Sequence, residues 1–326
     1  MGVQIVGLGK YLPEFELTNK DFEKLVDTTD EWITTRTGIK TRRIETEKLT
    51  WQMGAEAAKK ALENANITAE DIDLIVVSTC TADYLTPSMS CLVANEIGAK
   101  SPACFDINCA CSGFVAAMDM VEAYLSAGRC ERALIVSTEM LSKMVDYTDR
   151  TTCVLFGDGA GACVVEKSDG VFCSDLGSDP KNGYHLFSRG VMPNNPFIKE
   201  KVEDGWAETN GYGLHQDGKD VYKFATRAMP KALKTACEKA GIEPTDLDWV
   251  FPHQANSRIL ETAAKNLNLP IEKFYMNIQD HGNMSSACIP VCLTEAAEKN
   301  MLKKGDKICI VGFGGGLTYA AAVFTW

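Results

Sequence analysis

The chain contains an internal repeat, and this repeat limits the folds that it can adopt. The segment IEPTDLDWVFPHQ (Ile242–Gln254) resembles ITAEDIDLIVVST (Ile67–Thr79), and the two segments lie 175 residues apart. The matched positions include Asp71 with Asp246 and Asp73 with Asp248. A repeat of a strand-containing unit predicts two similar halves that bury their apolar surfaces against each other. We therefore expect an N-terminal half over residues 1–170 and a C-terminal half over residues 171–326, neither of them complete alone.

Apolar runs alternate with amphipathic segments along the chain. Leu74–Val77 and Ala133–Thr138 are continuous apolar runs, which are typical of strands buried on both faces. Thr50–Asn66 carries apolar residues at helical spacing. A further helix is predicted over Lys219–Ala240, with a kink or break at Pro230 because proline has no N–H for the helix ladder. Strands that alternate with helices in this way predict an α/β fold.

A cysteine lies in a small-residue turn between a predicted strand and a predicted helix. Ala103–Asn108 is the predicted strand, and apolar residues recur at helical spacing from Phe114 to Leu125. Cys111 is therefore expected near a helix N-terminus, where unpaired N–H groups and the helix dipole favour the thiolate. One interpretation is a nucleophilic cysteine. The other is a buried packing cysteine, since free cysteines are among the most buried residues.

The same region is rich in cysteine, which raises a metal-binding or redox alternative. The cysteines concerned are Cys80, Cys91, Cys104, Cys109 and Cys111. Metal sites built from cysteine commonly use paired C-x-x-C units, and this region has none, so we predict no metal site. The glycine-rich FGDGAGA segment is followed by a predicted strand. A dinucleotide-binding turn must open a helix, so we predict no nucleotide site there and expect its glycines to allow close backbone packing.

Two polar residues in the second half complete a candidate constellation. His253 follows the predicted strand Asp248–Phe251, and Asn283 lies at the start of a predicted helix. Each has an ordinary alternative, a hydrogen-bonded structural histidine for the first and a helix N-cap for the second. We expect Cys111, His253 and Asn283 to meet, because all three are predicted at helix N-termini that follow strands, where α/β sheets bind their ligands.

Composition excludes several functional classes. The 326-residue chain has a net charge of −11 and a pI near 5.0, which argue against broad binding to nucleic acid or to an anionic membrane. Its 13 scattered cysteines and the absence of a signal-peptide pattern favour a reduced, cytoplasmic protein. Its apolar runs are too short to cross a bilayer. A basic segment places Arg36, Lys40, Arg42 and Arg43 close to Trp32, and it predicts either a site for a phosphate-bearing ligand or a solvated helix face.

Four motifs occur in the order CACSGF, PHQANSRI, HGNMSSA and GFGGGLT. In this order they resemble the motifs of β-ketoacyl-acyl carrier protein synthase III, a condensing-enzyme family of the thiolase-fold superfamily. The resemblance implies a thiolase-like five-layered αβαβα fold and a homodimer. It also implies an acyltransferase that initiates fatty acid biosynthesis. Cys111 would take an acyl group from acyl-CoA, and a decarboxylative Claisen condensation would join that group to malonyl-acyl carrier protein. The alternative is a related acyltransferase of secondary metabolism that acts on a different acceptor.

The resemblance also implies roles for individual residues, with acyl-CoA and malonyl-acyl carrier protein as substrates and no resident cofactor. The catalytic residues would be Cys111, His253 and Asn283, with the backbone N–H groups of Cys111 and Gly315 as the oxyanion hole. Coenzyme A would contact Trp32, Arg36, Arg150 and Asn256. The acyl pocket would include Thr86 and Phe156, and the acidic carrier protein would contact Lys223, Arg258 and Lys265. Some acetyl-preferring relatives have phenylalanine at position 86, so the smaller threonine predicts a longer acyl pocket.

Overall fold

The computed structural model describes residues 2–193, 196–198, 205–209 and 213–326. The strands are β1 (Gly2–Tyr11), β2 (Glu16–Thr18), β3 (Thr41–Arg43), β4 (Leu74–Ser78), β5 (Ala103–Ile107), β6 (Arg132–Met140), β7 (Asp158–Ser168), β8 (Phe172–Ser178), β9 (Leu186–Ser188), β10 (Leu214–Gln216), β11 (Trp249–Pro252), β12 (Lys307–Gly314) and β13 (Thr318–Thr325). The helices are α1 (Asn19–Phe22), α2 (Asp30–Thr37), α3 (Thr50–Ala65), α4 (Met89–Ile97), α5 (Gly113–Ser126), α6 (Gly218–Ala240), α7 (Ser257–Leu267), α8 (Ile278–His281) and α9 (Cys288–Glu298).

The duplication is visible in the strand order of the two main sheets. The first sheet has the order β1-β7-β6-β4-β5, and the second has the order β8-β13-β12-β11. β4 runs parallel to β6, and β11 runs parallel to β12 in the same way. Where β5 extends the first sheet beside β4, the second sheet has an isolated parallel bridge between Val250 and Phe274. Both halves therefore build the same core of four strands.

The matched aspartates of the repeat have matched structural roles. Asp71 and Asp246 each cap a short 3₁₀ turn, accepting hydrogen bonds from the backbone N–H of the residue three positions earlier. Asp73 and Asp248 each precede the first strand of a parallel pair, and their carboxylates accept the N–H of Arg132 and of Lys307 at the start of the neighbouring strand. The repeated aspartates thus mark two local features that precede each parallel strand pair: a capped turn and a hydrogen bond to the neighbouring strand.

The two sheets and their helices form five layers. Alternate residues of β4 divide between two cores: Leu74 and Val76 face α5 and α9, whereas Ile75 and Val77 face α3 and α4. The core around α5 and α9 also contains residues of β11, β12 and β13, so these two helices lie between the sheets. The outer face of the second sheet packs against α6 and α7. The order of layers is helix, sheet, helix, sheet, helix.

The glycines of FGDGAGA lie at a close approach between the halves. Gly161 is in β7, opposite α9, where an added Cβ would lie 2.8 Å from Pro290 Cβ and 2.9 Å from Val291 N. We expect Gly161→Ala to lower the free energy of unfolding by about 1–3 kcal/mol through overpacking. Chemical denaturation measures this change, with Gly190→Ala as the control because a Cβ there meets no atom within 4 Å. Equal stability of the two variants would contradict this account of the glycine.

Two local predictions need correction. α6 continues through Pro230 without a break. The proline leaves the Thr226 carbonyl without its helix N–H, and Asn266 Nδ2 of α7 donates to that oxygen at 3.2 Å instead. Asn283 was expected at a helix start after a strand, but the element before it is the short helix α8. α9 begins five residues after Asn283, because the turn Ser285–Ala287 intervenes.

Candidate active site

Cys111 lies in a tight turn between the first sheet and the central helix layer. The turn Ala110–Ser112 follows β5 and leads directly into α5. Ala110 has a φ of 45°, a left-handed backbone conformation that is costly for a residue with a Cβ atom. The second half holds this turn: Ser112 Oγ and Thr318 Oγ1 lie 2.8 Å apart, and a Cβ on Gly314 would lie 2.6 Å from Cys111 N. The nucleophile is thus positioned by contacts from both halves.

His253 lies at the carboxyl end of β11, and 1% of its surface is exposed. Burial lowers the pKa of this imidazole to about 3, while a hydrogen bond with the Ser285 backbone opposes the shift. The ring is therefore neutral at physiological pH. Its Nδ1 is buried and has no hydrogen-bond partner among the described residues, and the residue lines the cavity.

Asn283 is buried, and one end of its amide is fixed. Its backbone forms a parallel bridge with Phe156, and its Oδ1 accepts the N–H of Ser285 at 2.8 Å. Ser285 also has a left-handed backbone, with a φ of 48°. Because the oxygen of the amide is occupied, the orientation leaves the Nδ2 group of Asn283 as the hydrogen-bond donor for a ligand.

A single cavity of about 420 Å³ joins the three candidate catalytic residues. Cys111, His253 and Asn283 all line it, together with Gly315 of the glycine-rich turn and Phe156. The antiparallel pair of β9 and β10 lines one side through Leu186 and Leu214, among other residues. A thiol, a neutral imidazole, an amide donor and a backbone turn of glycines therefore share one largely apolar space, which suits attack on a thioester and stabilisation of an oxyanion.

The electrostatics of the thiol differ from the prediction based on the helix N-terminus. Cys111 is partly exposed to the cavity, but it lies deep in the protein, and burial raises the pKa of its thiol to about 12. A hydrogen bond with the Ser285 side chain lowers this pKa without offsetting burial. The expected thiolate is therefore wrong for the free protein. The proton must leave during attack on the substrate.

We expect alkylation of Cys111 by iodoacetamide to quicken with pH, without a plateau up to pH 9. A thiol whose pKa lies near 12 gains about tenfold in thiolate fraction for each pH unit in this range. The neutral His253 does not titrate there, because its pKa lies near 3. Peptide mass spectrometry at pH 6–9 resolves Cys111 from the other cysteines. A plateau below pH 8 would contradict this prediction and would indicate that Cys111 is a thiolate in the free protein.

Sequence analysis missed the polar cluster behind the nucleophile. Glu139 is fully buried at the carboxyl end of β6, where it accepts hydrogen bonds from Thr81 Oγ1 and Ser286 Oγ, both at 2.7 Å. Cys80 Sγ lies 3.5 Å from this carboxylate and 3.7 Å from Ser285 Oγ. Their position in the sequence could have indicated this cluster. Cys80 comes just after β4 and Glu139 lies near the end of β6, where α/β sheets bind their ligands.

Within the basic segment, Trp32 and Arg36 line the cavity, whereas Arg42 is buried and donates to Asn19. The Arg150 guanidinium lies 4.9 Å from the centroid of the Trp32 ring, and its Nη1 donates to the Asp27 backbone oxygen. Arg36 is exposed and lines the mouth. Asn256 also lines it, but its amide is engaged: Nδ2 donates to the Arg36 backbone oxygen at 3.0 Å, and Oδ1 caps α7. An aromatic face and two guanidinium groups therefore surround the entrance.

The two predicted acyl-pocket residues lie in different places. Phe156 is buried and lines the cavity beside Asn283. Thr86 is exposed in the loop between β4 and α4, outside the cavity lining of this single chain. Thr86 therefore does not reach the cavity of its own chain, and its assignment to the acyl pocket stays a prediction.

The predicted carrier-protein residues lie on α6 and α7. Lys223 and Arg258 flank a shallow groove next to Arg36 and Asn256 at the cavity mouth. Lys265 is exposed two turns further along α7 than Arg258. Lys223 also pairs with Asp220 at 2.8 Å. The three cations therefore follow one surface that begins at the entrance.

Other features of the described residues bear on the alternatives. No group of three or more His, Cys, Asp and Glu side chains in the described ranges is arranged to hold a metal ion. His185 and His215 instead share Asp217, at 2.7 Å and 3.4 Å. Within the same ranges, the helices are too short or too polar to span a bilayer.

Comparison with known proteins identifies the family. Residues 105–180 match the family model described as 3-oxoacyl-[acyl-carrier-protein (ACP)] synthase III, and residues 237–326 match its C-terminal model. A Clostridium acetobutylicum protein named β-ketoacyl-[acyl-carrier-protein] synthase III is 46% identical over 99% of this chain and 98% of its own length.

Solved structures agree with this match. The 3-oxoacyl-[acyl-carrier-protein] synthase III of Aquifex aeolicus superposes with a TM-score of 0.92 at 41% identity, over 100% of both chains. The Thermus thermophilus β-ketoacyl-[acyl carrier protein] synthase III superposes with a TM-score of 0.91 at 40% identity, over 100% of this chain and 99% of that one. The predicted α/β fold is confirmed. The chain belongs to the 3-oxoacyl-[acyl-carrier-protein] synthase III family of condensing acyltransferases.

Proposed function

We propose that this chain condenses an acyl group from acyl-CoA with malonyl-acyl carrier protein, by way of an acyl-Cys111 intermediate, and so initiates fatty acid synthesis. The observation that carries the proposal is the single cavity shared by Cys111, His253 and Asn283. The free thiols of all 13 cysteines fit a reducing compartment, so we propose a cytoplasmic location.

The first half-reaction is transfer of the acyl group to the thiol. Cys111 Sγ attacks the thioester carbonyl and gives up its proton as the carbon–sulfur bond forms. The backbone N–H groups of Cys111 and Gly315 donate to the oxyanion of the tetrahedral intermediate. Collapse of the intermediate breaks the bond to coenzyme A, and the departing thiolate takes up the proton that Cys111 has lost. The enzyme is left as a thioester with a neutral imidazole.

The second half-reaction needs donors that do not carry a full charge. Loss of carbon dioxide from the malonyl group creates a thioester enolate, whose oxygen accepts hydrogen bonds from His253 Nε2–H and Asn283 Nδ2. The low pKa of His253 keeps the ring neutral for this step. The enolate carbon then attacks the acyl-Cys111 carbonyl. Collapse of the tetrahedral intermediate breaks the carbon–sulfur bond and releases the Cys111 thiolate, which takes a proton from solvent.

The entrance supports binding of coenzyme A by stacking. An adenine ring would stack on Trp32 once the Arg150 guanidinium, which lies 4.9 Å from the centroid of that ring, has moved aside, while Arg36 would approach the phosphates. We expect Trp32→Ala to raise KM for acyl-CoA about tenfold, as loss of one base–aromatic stack predicts. Acylation by a short acyl-pantetheine thioester, which lacks adenine, should change little. An equal loss with both donors would contradict stacking on Trp32.

We also propose a homodimer that pairs the first sheets edge to edge. β5 is the last strand of its sheet, and its outer edge has no strand partner among the described residues. Asp106 of β5 accepts the N–H groups of Met89 and Ser90, so the loop that carries Thr86 lies beside this edge. In such a dimer the loop of one chain would pack against the second copy, so that Thr86 of the first chain would lie near the acyl pocket of the second. Sedimentation at micromolar concentration tests the assembly, and a persistent monomer would contradict it.

The function is tested by supplying acceptors in parallel to the acylated enzyme. Protein acylated with acetyl-CoA or with four- to eight-carbon acyl-CoAs is mixed with malonyl-acyl carrier protein or malonyl-CoA. We expect β-ketoacyl-carrier protein as the main product and acceptance of the longer primers. Acylation without condensation, or transfer to a different acceptor alone, would overturn the proposal. A strict acetyl preference would remove the role given to Thr86.

A further inference from the structure

A hydrogen-bond network surrounds Glu295 of α9, whose side chain is 12% exposed. Its carboxylate oxygens meet three polar side chains. His281 Nε2 lies 2.8 Å from Oε1, while Tyr275 OH and Asn277 Nδ2 donate to Oε2 at 3.0 Å and 3.2 Å. We call these four residues the Glu295 network. A buried polar network of this kind fixes its members relative to one another, because each lost partner would leave a costly unpaired group.

Glu295 is an ionised carboxylate at physiological pH. Burial raises the pKa of its carboxyl, but hydrogen bonds with His281, Asn277 and Tyr275 oppose burial, and the resulting pKa is about 2. An ionised carboxylate only accepts hydrogen bonds, so Nε2 of His281 carries the hydrogen that points at Glu295. Nδ1 of the same ring is buried without a hydrogen-bond partner among the described residues. The imidazole is therefore held through Nε2.

One arm of the network leads to Asn283. His281 is the last residue of α8, and only Gly282 separates it from Asn283. Gly282 has a φ of 64°, and a Cβ there would lie 2.9 Å from the Leu155 oxygen. The Asn283 N–H donates to that same oxygen at 2.9 Å, and the Asn283 oxygen accepts the Gly157 N–H at 3.0 Å. Asn283 is thus held between this backbone bridge and the anchored side chain of His281.

The other arm leads to His253. Gln254 directly follows His253 and is fully buried. Its Oε1 accepts the Asn277 backbone N–H at 3.2 Å, and its Nε2 donates to the Tyr275 backbone oxygen at 3.0 Å. The side chains of Asn277 and Tyr275 both bind Glu295. One carboxylate therefore supports the segments next to both proposed enolate donors.

The network stands apart from the nucleophile. None of its four side chains lines the cavity. The turn that carries Cys111 is held instead from β12 and β13, through close packing on Gly314 and the contact of Ser112 with Thr318. A disturbance of the network should therefore reach the enolate donors before it reaches the thiol.

We propose that His281 and Glu295 are positioning residues for condensation, which hold Asn283 and His253 at the spacing that the enolate oxygen requires. The inference rests on the proposed function, since it concerns the same two donors. Donors stabilise an oxyanion strongly only when they are preorganised. Acylation of Cys111 relies on backbone donors of another turn, so the network should affect the second half-reaction alone.

The first test replaces the carboxylate by an amide of the same shape. In Glu295→Gln an NH₂ group takes the place of one acceptor oxygen, so at least one donor of the network loses its partner. We expect the single-turnover rate of condensation with malonyl-acyl carrier protein to fall ~10–100-fold, as small displacements of reacting groups predict, and acylation by acyl-CoA to change less than ~2-fold. The control is Glu298→Gln, an equal change of charge on the same helix, at an exposed residue that pairs with Lys10. A surface ion pair contributes little, so both half-reactions of the control should stay within ~2-fold.

The second test asks whether a matched donor at position 281 is enough. His281→Ala removes the bond to Glu295 and should slow condensation ~10–100-fold. The amide nitrogen of glutamine reaches about as far as imidazole Nε2, so His281→Gln should recover most of the lost rate. Rates are measured on the acylated fraction, because misfolded chains lower the amount of acyl-enzyme and not the rate constant of each acylated molecule.

Two outcomes would overturn the positioning role. The first is condensation at the normal rate in both Glu295→Gln and His281→Ala. The second is equal slowing of acylation and condensation, which would indicate a general loss of structure. If His281→Ala yields no acyl-enzyme, the isosteric Glu295→Gln decides alone. If the unmodified acyl-enzyme itself fails to condense with malonyl-acyl carrier protein, the proposed function fails instead, so the two failures are distinguishable.

Discussion

Replacing Cys111 with alanine is expected to abolish transfer of the acyl group from acyl-CoA to the protein. The thiol is the attacking atom, and the remaining donors can bind a thioester but cannot form a bond to it. Loss of a nucleophile that acts with its partners as a unit lowers the rate by ~10⁴-fold or more. Intact mass after incubation with acyl-CoA measures the effect, because the unmodified protein gains one acyl group and the variant gains none.

The control for this variant is the neighbouring thiol. Cys109 lies two residues away, and burial raises its pKa as well. It does not line the cavity with Cys111, so Cys109→Ala should still take up one acyl group. If Cys111→Ala were still acylated, or if only Cys109→Ala lost acylation, Cys111 would not be the nucleophile.

Removing the donors to the enolate is expected to separate the two half-reactions. His253→Ala and Asn283→Asp should each form the acyl-enzyme but lower the rate of condensation by ~10²–10³-fold, the usual cost of losing one preorganised donor. Asn283→Asp is the sharper change, since one carboxylate oxygen can still accept the Ser285 N–H while the donor is replaced by negative charge. Release of carbon dioxide from malonyl-acyl carrier protein measures the step.

Substitution of a second histidine, His215, is the control for a general loss of structure. His215 is partly buried in β10 but does not line the cavity, and it pairs with Asp217. His215→Ala should therefore release carbon dioxide at nearly the normal rate. If His253→Ala or Asn283→Asp condensed as fast as the unmodified protein, the enolate would have other donors, and the roles given to the pair would be wrong.

The sequence predicted those parts of the structure that local patterns determine. The repeated aspartates predicted the duplication because each starts a strand in the same way, through a capped turn and a link to the neighbouring strand. The order of apolar runs predicted the α/β layers, since alternate residues of a strand such as β4 serve two cores. The motifs around Cys111, His253 and Asn283 predicted a shared site, and one cavity contains all three.

The remaining features depend on contacts between distant segments, which a local pattern does not reveal. The pKa of Cys111 depends on burial by both halves, so the helix N-terminus alone predicted the wrong protonation state. Pro230 predicted a kink or a break; the helix is not broken there, and Asn266 of another helix satisfies the freed carbonyl. Thr86 was assigned from correspondence with relatives, whereas its loop leaves the cavity of its own chain. Glu139 was missed because a buried carboxylate bound by hydroxyl groups has no sequence motif.

The central claim is that one thiol carries the acyl group while an imidazole and an amide from the other half drive decarboxylation. A single-turnover chase tests it most directly: acyl-enzyme freed of coenzyme A is mixed with malonyl-acyl carrier protein, and protein mass and released carbon dioxide are followed together. The account predicts that the unmodified protein loses its acyl mass with one carbon dioxide per acyl group, while the double variant His253→Ala/Asn283→Asp keeps the mass and releases none. Equal rates in the two proteins, or decarboxylation without loss of the acyl mass, would contradict it.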